Sequence, residues 1–160
     1  MKIVYSLICT LFAAMLLFSA CSGGGTVTPP PPSSGNAPSA GNSTITEGVM
    51  TTSVDDMSKP TGGILTSFPV SAPAIYCSFK VNDVVKEDMI KATWIYVGGA
   101  AADKANTQIN ETYDIVQVSD PSYNLAFYLD KPVAGWDKGD YKVVLSINGK
   151  EKLSVPFKVE

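Results

Sequence analysis

The sequence contains no histidine and no arginine, so all 12 of its basic residues are lysines. Histidine is the side chain that most often acts as a general base or binds a metal ion. Arginine alone offers the planar pair of donors that binds a carboxylate or phosphate through two hydrogen bonds. These two absences count against an enzyme, and we expect neither a cofactor nor a metal site.

The chain also lacks an excess of positive charge. Its formal net charge is −3, with 15 acidic residues against 12 lysines. A nucleic-acid-binding protein must neutralise phosphates with a basic surface. We therefore expect no nucleic-acid partner.

The amino-terminal segment has the layout of a secretory signal. Lys2 is followed by an apolar run from Ile3 to Phe18, which is short for a helix that stays in the membrane. Ser19 and Ala20 are small residues that stand directly before Cys21.

This stretch resembles the lipobox of bacterial lipoproteins. The resemblance implies that residues 1–20 form a signal peptide and that Cys21 becomes the first mature residue, with a diacylglycerol on its thiol. Ser22 rather than aspartate follows the cysteine, which by resemblance to lipoprotein sorting implies the outer membrane of the cell envelope. The alternative is an ordinary signal peptide that happens to contain a cysteine.

Residues 21–46 have the composition of a tether. Gly23 to Gly25 and the proline run Pro29 to Pro32 dominate a segment that has little to bury. Such a segment cannot offset the entropy of ordering, so we expect a disordered linker with a stiff polyproline centre. The folded domain is expected over residues 47–160.

Cysteine supplies no disulfide in this domain. The chain has 3 cysteines, of which Cys9 lies in the signal and Cys21 carries the lipid, so Cys77 is left alone. A nucleophilic cysteine needs a nearby base or positive charge, and the strand neighbours Ile75 and Phe79 supply neither. We expect Cys77 to be a buried core thiol.

The domain is predicted to be all-β, because short segments alternate apolar and polar residues and none keeps a helical period. Seven or eight short strands in one domain indicate a β-sandwich. The predicted strands are 49–54, 64–68, 74–81, 90–97, 109–118 (one strand or two), 122–129, 141–147 and 153–159. Pro156 lies in the last of them, so it should stand at an edge or on an unpaired side.

The segment from Asp137 to Val143 resembles the Asp-x-Gly-x-Tyr-x-Cys signature of immunoglobulin-fold domains, and the end of the chain resembles immunoglobulin-like domains of bacterial envelope proteins. The resemblance implies an immunoglobulin-like sandwich of about seven strands. It makes Tyr141 the corner tyrosine, Trp94 the core tryptophan and Cys77 the first cysteine of the usual pair. Val143 replaces the second cysteine, so the disulfide between the sheets is absent.

Two local predictions concern turns. A two-residue Asn148-Gly149 loop would reverse the inward and outward parity of the last two strands, so we expect a longer, bulged turn with Gly149 in a left-handed conformation.

Acidic clusters at Asp55-Asp56, at Asp83 with Glu87-Asp88, and at Asp137 with Asp140 do not fit a calcium loop. They are expected to be solvated turn residues.

The predicted function is that of a membrane-anchored envelope lipoprotein with a non-catalytic role, binding a protein or polymer partner or acting as a structural accessory. The alternative is a ligand-binding or adhesin-like module that uses the loops at one end of the sandwich. Ile95, Val97 and Val144 are expected on the outer face of neighbouring strands, where an apolar patch would mark an interaction site. Alternatively, these side chains only pack across the strands.

Overall fold

A computed structural model describes residues 42–160, which form a β-sandwich of two packed sheets. The predicted signal peptide, Cys21 and nearly all of the predicted tether lie outside these residues. The strands are β1 (Thr44–Thr51), β2 (Ser67–Phe68), β3 (Ala74–Val84), β4 (Met89–Gly99), β5 (Thr107–Ile115), β6 (Asp120–Asp130), β7 (Gly139–Ile147) and β8 (Lys150–Val159), with one short 3₁₀ helix at Ala102–Lys104. Within residues 42–160, no helix is long and apolar enough to cross a membrane.

The strand order is that of an immunoglobulin-like sandwich. One sheet has three strands in the order β1-β3-β6, and the other has five in the order β2-β8-β7-β4-β5. The first follows the A-B-E order of immunoglobulin domains, and β8-β7-β4 follows their G-F-C order. The predicted fold class is confirmed, with eight strands instead of about seven.

The alternation of the central strands is confirmed, because their inward side chains make up the core. Cys77 and Val143, which belong to opposite sheets, are both fully buried, and the Cys77 thiol is free. Hydrophobic packing therefore takes the place of the disulfide. The buried inward residues are Ile75, Cys77, Phe79 and Val81 on β3, Ile90, Ala92, Trp94 and Tyr96 on β4, and Tyr141, Val143, Leu145 and Ile147 on β7.

The first strand begins earlier than the sequence predicted. β1 starts at Thr44, and Ile45 is 5% exposed, so residues 44–46 belong to the sandwich and not to the tether. Two β-branched threonines that flank an inward isoleucine are good strand formers. A bulge at Glu47 and Gly48 follows, and a side chain at Gly48 would lie only 2.6 Å from Leu153 of β8. Glycine at this position lets β1 pack closely on the opposite sheet.

The prediction for the β7–β8 turn is wrong in one respect. Ile147 pairs directly with Lys150, so Asn148 and Gly149 form a two-residue turn, with φ angles of 51° and 77°. Gly149 does have the expected left-handed conformation. The parity is restored inside β8, where Lys152 is an extra residue between the pairs Leu145–Leu153 and Ser146–Glu151.

The edges of the five-stranded sheet differ partly from expectation. The segment predicted at 64–68 is a two-residue strand, β2, which pairs in parallel with Lys158 and Val159. Residues 107–115 form one continuous strand with a bulge at Ile109. Pro156 stands on the unpaired side of β8, as predicted: Lys158 donates its N–H to Thr66, and the nitrogen of Pro156 points to the same side, beyond the end of β2.

Candidate functional site

The outer face of the five-stranded sheet carries the predicted interaction residues. Ile95 and Val144 each lie between two buried neighbours, and Val97 follows the buried Tyr96. All three residues are half-buried. Thr93 pairs with Val144 and Ile95 pairs with Lys142, so Ile95 and Val144 are diagonal neighbours on one surface. Such neighbours are close enough for large side chains to touch. The structure places these residues on the outer face, and their binding role stays a prediction.

A groove of about 600 Å³ lies on this face, next to the predicted residues. Its lining includes Val97 of β4, Lys142 of β7, Pro156 and Lys158 of β8, and Thr66 from the segment before β2. Val97 is an extra residue of β4 between the pairs Tyr96–Tyr141 and Gly98–Asp140. The groove combines apolar side chains with two lysines, a mixture that suits contact with a larger molecule.

Cys77 has the environment of a structural thiol. It is 0% exposed, and burial raises its pKa to about 12. A thiol of this pKa stays protonated in neutral solution, whereas the nucleophilic form is the thiolate. Cys77 therefore acts as a small apolar core residue.

Tyr141 makes the hydrogen bond that its resemblance to the corner tyrosine implied. Its hydroxyl donates to the carbonyl oxygen of Asp137 over 2.6 Å, and the ring packs against Tyr96 and Phe157. Burial, with a smaller effect from the charge of Asp137, raises the pKa of Tyr141 to about 12. The tyrosine joins the start of β7 to the loop before it.

Replacing Tyr141 with phenylalanine should keep the fold and lower the free energy of unfolding by about 1 kcal/mol, because only one hydrogen bond is removed. Urea denaturation measures this difference. Tyr128→Phe is a suitable control, because the Tyr128 side chain is 51% exposed. If Tyr141→Phe is as stable as the native protein, the corner bond makes no net contribution.

The loops at the end of the sandwich near Tyr141 are tied to one another. Trp136 donates its Nε1–H to the carbonyl oxygen of Ala72 over 2.8 Å. Lys104 and Asp137 form an ion pair of 2.8 Å. The hydroxyl of Tyr96 accepts a hydrogen bond from the N–H of Ala101. The loops at this end of the sandwich are therefore held in place by contacts within the domain.

Asp88 is not the solvated turn residue that the sequence predicted. It is 1% exposed, and its carboxylate accepts hydrogen bonds from Ser43 Oγ (2.8 Å), Val85 N (3.0 Å) and Asn148 Nδ2 (2.7 Å). Burial alone would raise the pKa of Asp88, but these bonds and the charge of Lys152 outweigh it and lower the pKa. Lys152 also donates to the carbonyl oxygen of Ser43. This network fastens the residue that precedes β1 to the rest of the domain.

The lowered pKa of Asp88 predicts a loss of stability in acid. The charged carboxylate is favoured in the folded state, so its contribution is complete above the ordinary aspartate pKa of about 3.9 and is lost as the pH falls through the lower folded value. Asp88→Asn should cost about 1.5–3 kcal/mol at neutral pH, because hydrogen bonds to a charged group are lost. Urea denaturation at several pH values measures both effects.

The neighbouring variant Glu87→Gln is the control, because Glu87 is exposed. It should retain the neutral-pH stability and the acid sensitivity of the native protein. If Asp88→Asn unfolds with the same pH dependence as the native protein, Asp88 does not contribute to the acid sensitivity.

Comparisons with known proteins give little further information. No protein-family model and no curated protein matches the sequence. Among solved structures, the chain is similar to an alkylpurine DNA glycosylase from Pseudomonas fluorescens (10% identity, TM-score 0.45, 74% of this chain and 30% of that one). It is also similar to β-glucosidases from Erythrobacter marinus (8% identity, TM-score 0.48, 75% and 16%) and Bifidobacterium adolescentis (10% identity, TM-score 0.45, 75% and 17%). The chain spans less than a third of each of these proteins, and these weak likenesses carry no functional conclusion.

Proposed function

We propose that this protein is a lipoprotein of the bacterial cell envelope, anchored by lipid on Cys21 in the outer membrane, whose sandwich contacts a protein or polymer partner without catalysing a reaction. The anchor is proposed from the sequence of residues 1–22. The contact is proposed from the outer face of the five-stranded sheet.

The observation that carries the interaction role is the position of Ile95, Val97 and Val144 beside the groove of about 600 Å³. The outer face of an antiparallel sheet is usually polar, because it meets water. Here three aliphatic side chains stand on that face and remain partly accessible. A partner that covers them would bury their remaining apolar area, which favours association.

The surroundings of these residues also suit an interface. Lys142 and Lys158 line the groove, and Lys91 forms an ion pair of 3.2 Å with Glu111 on the same face. Interfaces commonly have an apolar centre and a polar rim. Polar groups at the rim select a partner and influence how fast it binds.

The experiment combines Ile95→Glu with Val144→Lys in the full chain. Both side chains lie on the outer face, so the double variant should fold while crosslinking to envelope components falls sharply. Chemical crosslinking in the native envelope and urea denaturation of the purified protein measure the two properties. The two charges would lose their hydration in the centre of an apolar contact when a partner covers them, which is the reason for the loss.

A matched control places the same charges on β1 of the other sheet, as Thr44→Glu with Thr46→Lys, at exposed positions. The control should crosslink like the native protein. If the Ile95 and Val144 double variant unfolds, these side chains belong to the core and the proposed surface does not exist. If it folds and crosslinks as before, the partner binds elsewhere.

A further inference from the structure

Within residues 42–160, three of the four sheet edges are protected against pairing with another chain. The N–H of Leu65 bonds to the carbonyl oxygen of Met50, so the segment before β2 covers β1, which also has a bulge. β2 is only two residues long, and Pro156 interrupts the edge of β8 beyond it. Short strands, bulges and prolines are common ways to block an edge.

The edge of β5 is protected by its own side chains. The N–H groups of Glu111 and Ile115 point away from β4, and each donates to the side chain of the preceding residue, Asn110 or Asp114. Ile109 adds a bulge to the same strand. An incoming strand would have to displace these local hydrogen bonds.

The fourth edge, β6, has a long stretch without such protection. It pairs with β3 in one unbroken register from Asp120 to Asp130, without a bulge. Residues 122–129 contain no charge and no proline. A long, regular and uncharged edge strand is the kind that pairs readily with another strand.

The direction of the free hydrogen-bonding groups of β6 follows from its neighbour. Lys131 donates its N–H to Pro73, on the β3 side. Because the direction alternates along a strand, the N–H groups of Asn124, Ala126 and Tyr128 point away from β3. No strand of the described domain pairs with β6 on that side. Only the N–H of Ser122 at the start of the strand is capped, by the Asp120 carboxylate.

A cleft lies beside this edge and can receive side chains. It has a volume of about 340 Å³ and is lined by Asn110 and Thr112 of β5 and by residues 126–130 of β6. The hydroxyl oxygen of Thr112 is buried and has no hydrogen-bond partner. Alternate side chains of an added strand would enter the cleft, where a polar one can bond to Thr112.

We propose that β6 binds an extended segment of a partner protein, which adds a strand to the three-stranded sheet. This proposal goes beyond the interaction role stated above, because β6 belongs to the three-stranded sheet and is a second contact surface. The segment has an uncharged, alternating centre and basic residues near its ends, because Asp120 and Asp130 stand at the two ends of β6. A second copy of this chain fits less well, since full antiparallel pairing of two β6 strands would place Asp120 of each opposite Asp130 of the other.

The test uses the full chain and a labelled synthetic peptide of about ten residues, with alternating threonine and valine and a lysine at each end. Fluorescence anisotropy measures binding, and hydrogen exchange measures protection of the Asn124, Ala126 and Tyr128 amides. The native protein should bind the peptide and gain protection at these amides. A peptide with glutamate at each end should bind on the order of tenfold more weakly.

Ala126→Pro removes one outward N–H and leaves the bonds to β3 in place, so it should weaken peptide binding on the order of tenfold. Tyr113→Pro is the matched control, because it removes an outward N–H of β5, and it should bind like the native protein. If Ala126→Pro does not fold, Ala126→Lys replaces it, because a lysine on an edge opposes pairing.

Equal binding by native protein and folded Ala126→Pro would overturn the proposal, as would no binding of the lysine-ended peptide by the native protein. Self-association of the native protein in sedimentation, lost in Ala126→Pro, would instead make a second copy the occupant and overturn the partner assignment. If the peptide does not bind while crosslinking in the envelope still depends on Ile95 and Val144, the strand-addition proposal is wrong and the proposed function stands.

Discussion

Replacing Cys21 with serine should release the protein from the membrane or leave residues 1–20 attached to it. In the proposed lipoprotein the thiol of Cys21 carries a diacylglycerol, and serine has no thiol. Each buried methylene of an acyl chain contributes about 0.8 kcal/mol, so two or three chains make attachment effectively stable, whereas the protein without them has no anchor of this kind. Membrane flotation and mass spectrometry of the mature amino terminus measure the change.

Cys9→Ser is the matched control, because this cysteine lies within the predicted signal peptide. It should be processed, lipidated and recovered with the membrane like the native protein. A Cys21→Ser protein that is still lipidated at its mature amino terminus would show that the lipobox assignment is wrong.

Replacing Trp94 with alanine should lower the free energy of unfolding by about 3–5 kcal/mol, the largest stability effect that we expect. Trp94 is 0% exposed, and its ring meets the edge of Phe157 with the ring centres 6.1 Å apart. Alanine would leave a cavity between the two sheets, next to Phe157 of β8. Urea denaturation of the two proteins measures the loss.

Trp94→Phe separates the packing of this residue from its polarity. The indole Nε1 is buried and has no hydrogen-bond partner, so phenylalanine loses volume but no hydrogen bond. We expect it to cost less than half as much as alanine. Equal losses for the two variants would contradict the assignment of Trp94 to a tightly packed core.

The strands that contribute most to the core could be predicted from sequence because their alternation has a strong physical cause. On β3, β4 and β7 a shift of one residue would turn the inward apolar side chains outward and bring the outward side chains, most of which are polar, into the core. Ile75, Trp94 and Val143 therefore specify their orientation without any knowledge of partners. The same alternation placed Ile95 and Val144 on the outer face.

The features that the sequence did not predict depend on residues far apart in the chain. Asp88 is buried because Ser43 and Asn148 provide donors from 45 and 60 residues away. Lys152 is the extra residue of β8. Its ammonium group donates to the carbonyl oxygen of Ser43, which is 109 residues away. Local patterns contain no information about such pairs.

The groove on the outer face also depends on residues that are far apart in the chain. Thr66 lies beside the groove because β2 pairs in parallel with the end of β8. No turn motif in the sequence predicts this contact. The sequence could therefore indicate which side chains face outward, but not the concave surface next to them.

The interaction role is tested most directly by a photoreactive residue at position 144 in the lipidated protein in its own envelope. Irradiation should give a defined crosslinked product from this position, and the product should disappear when Ile95→Glu is added. The same residue at position 46, exposed on the other sheet, should give none. Absence of a product at position 144, or equal products at both positions, would contradict an interaction through the outer face of the five-stranded sheet.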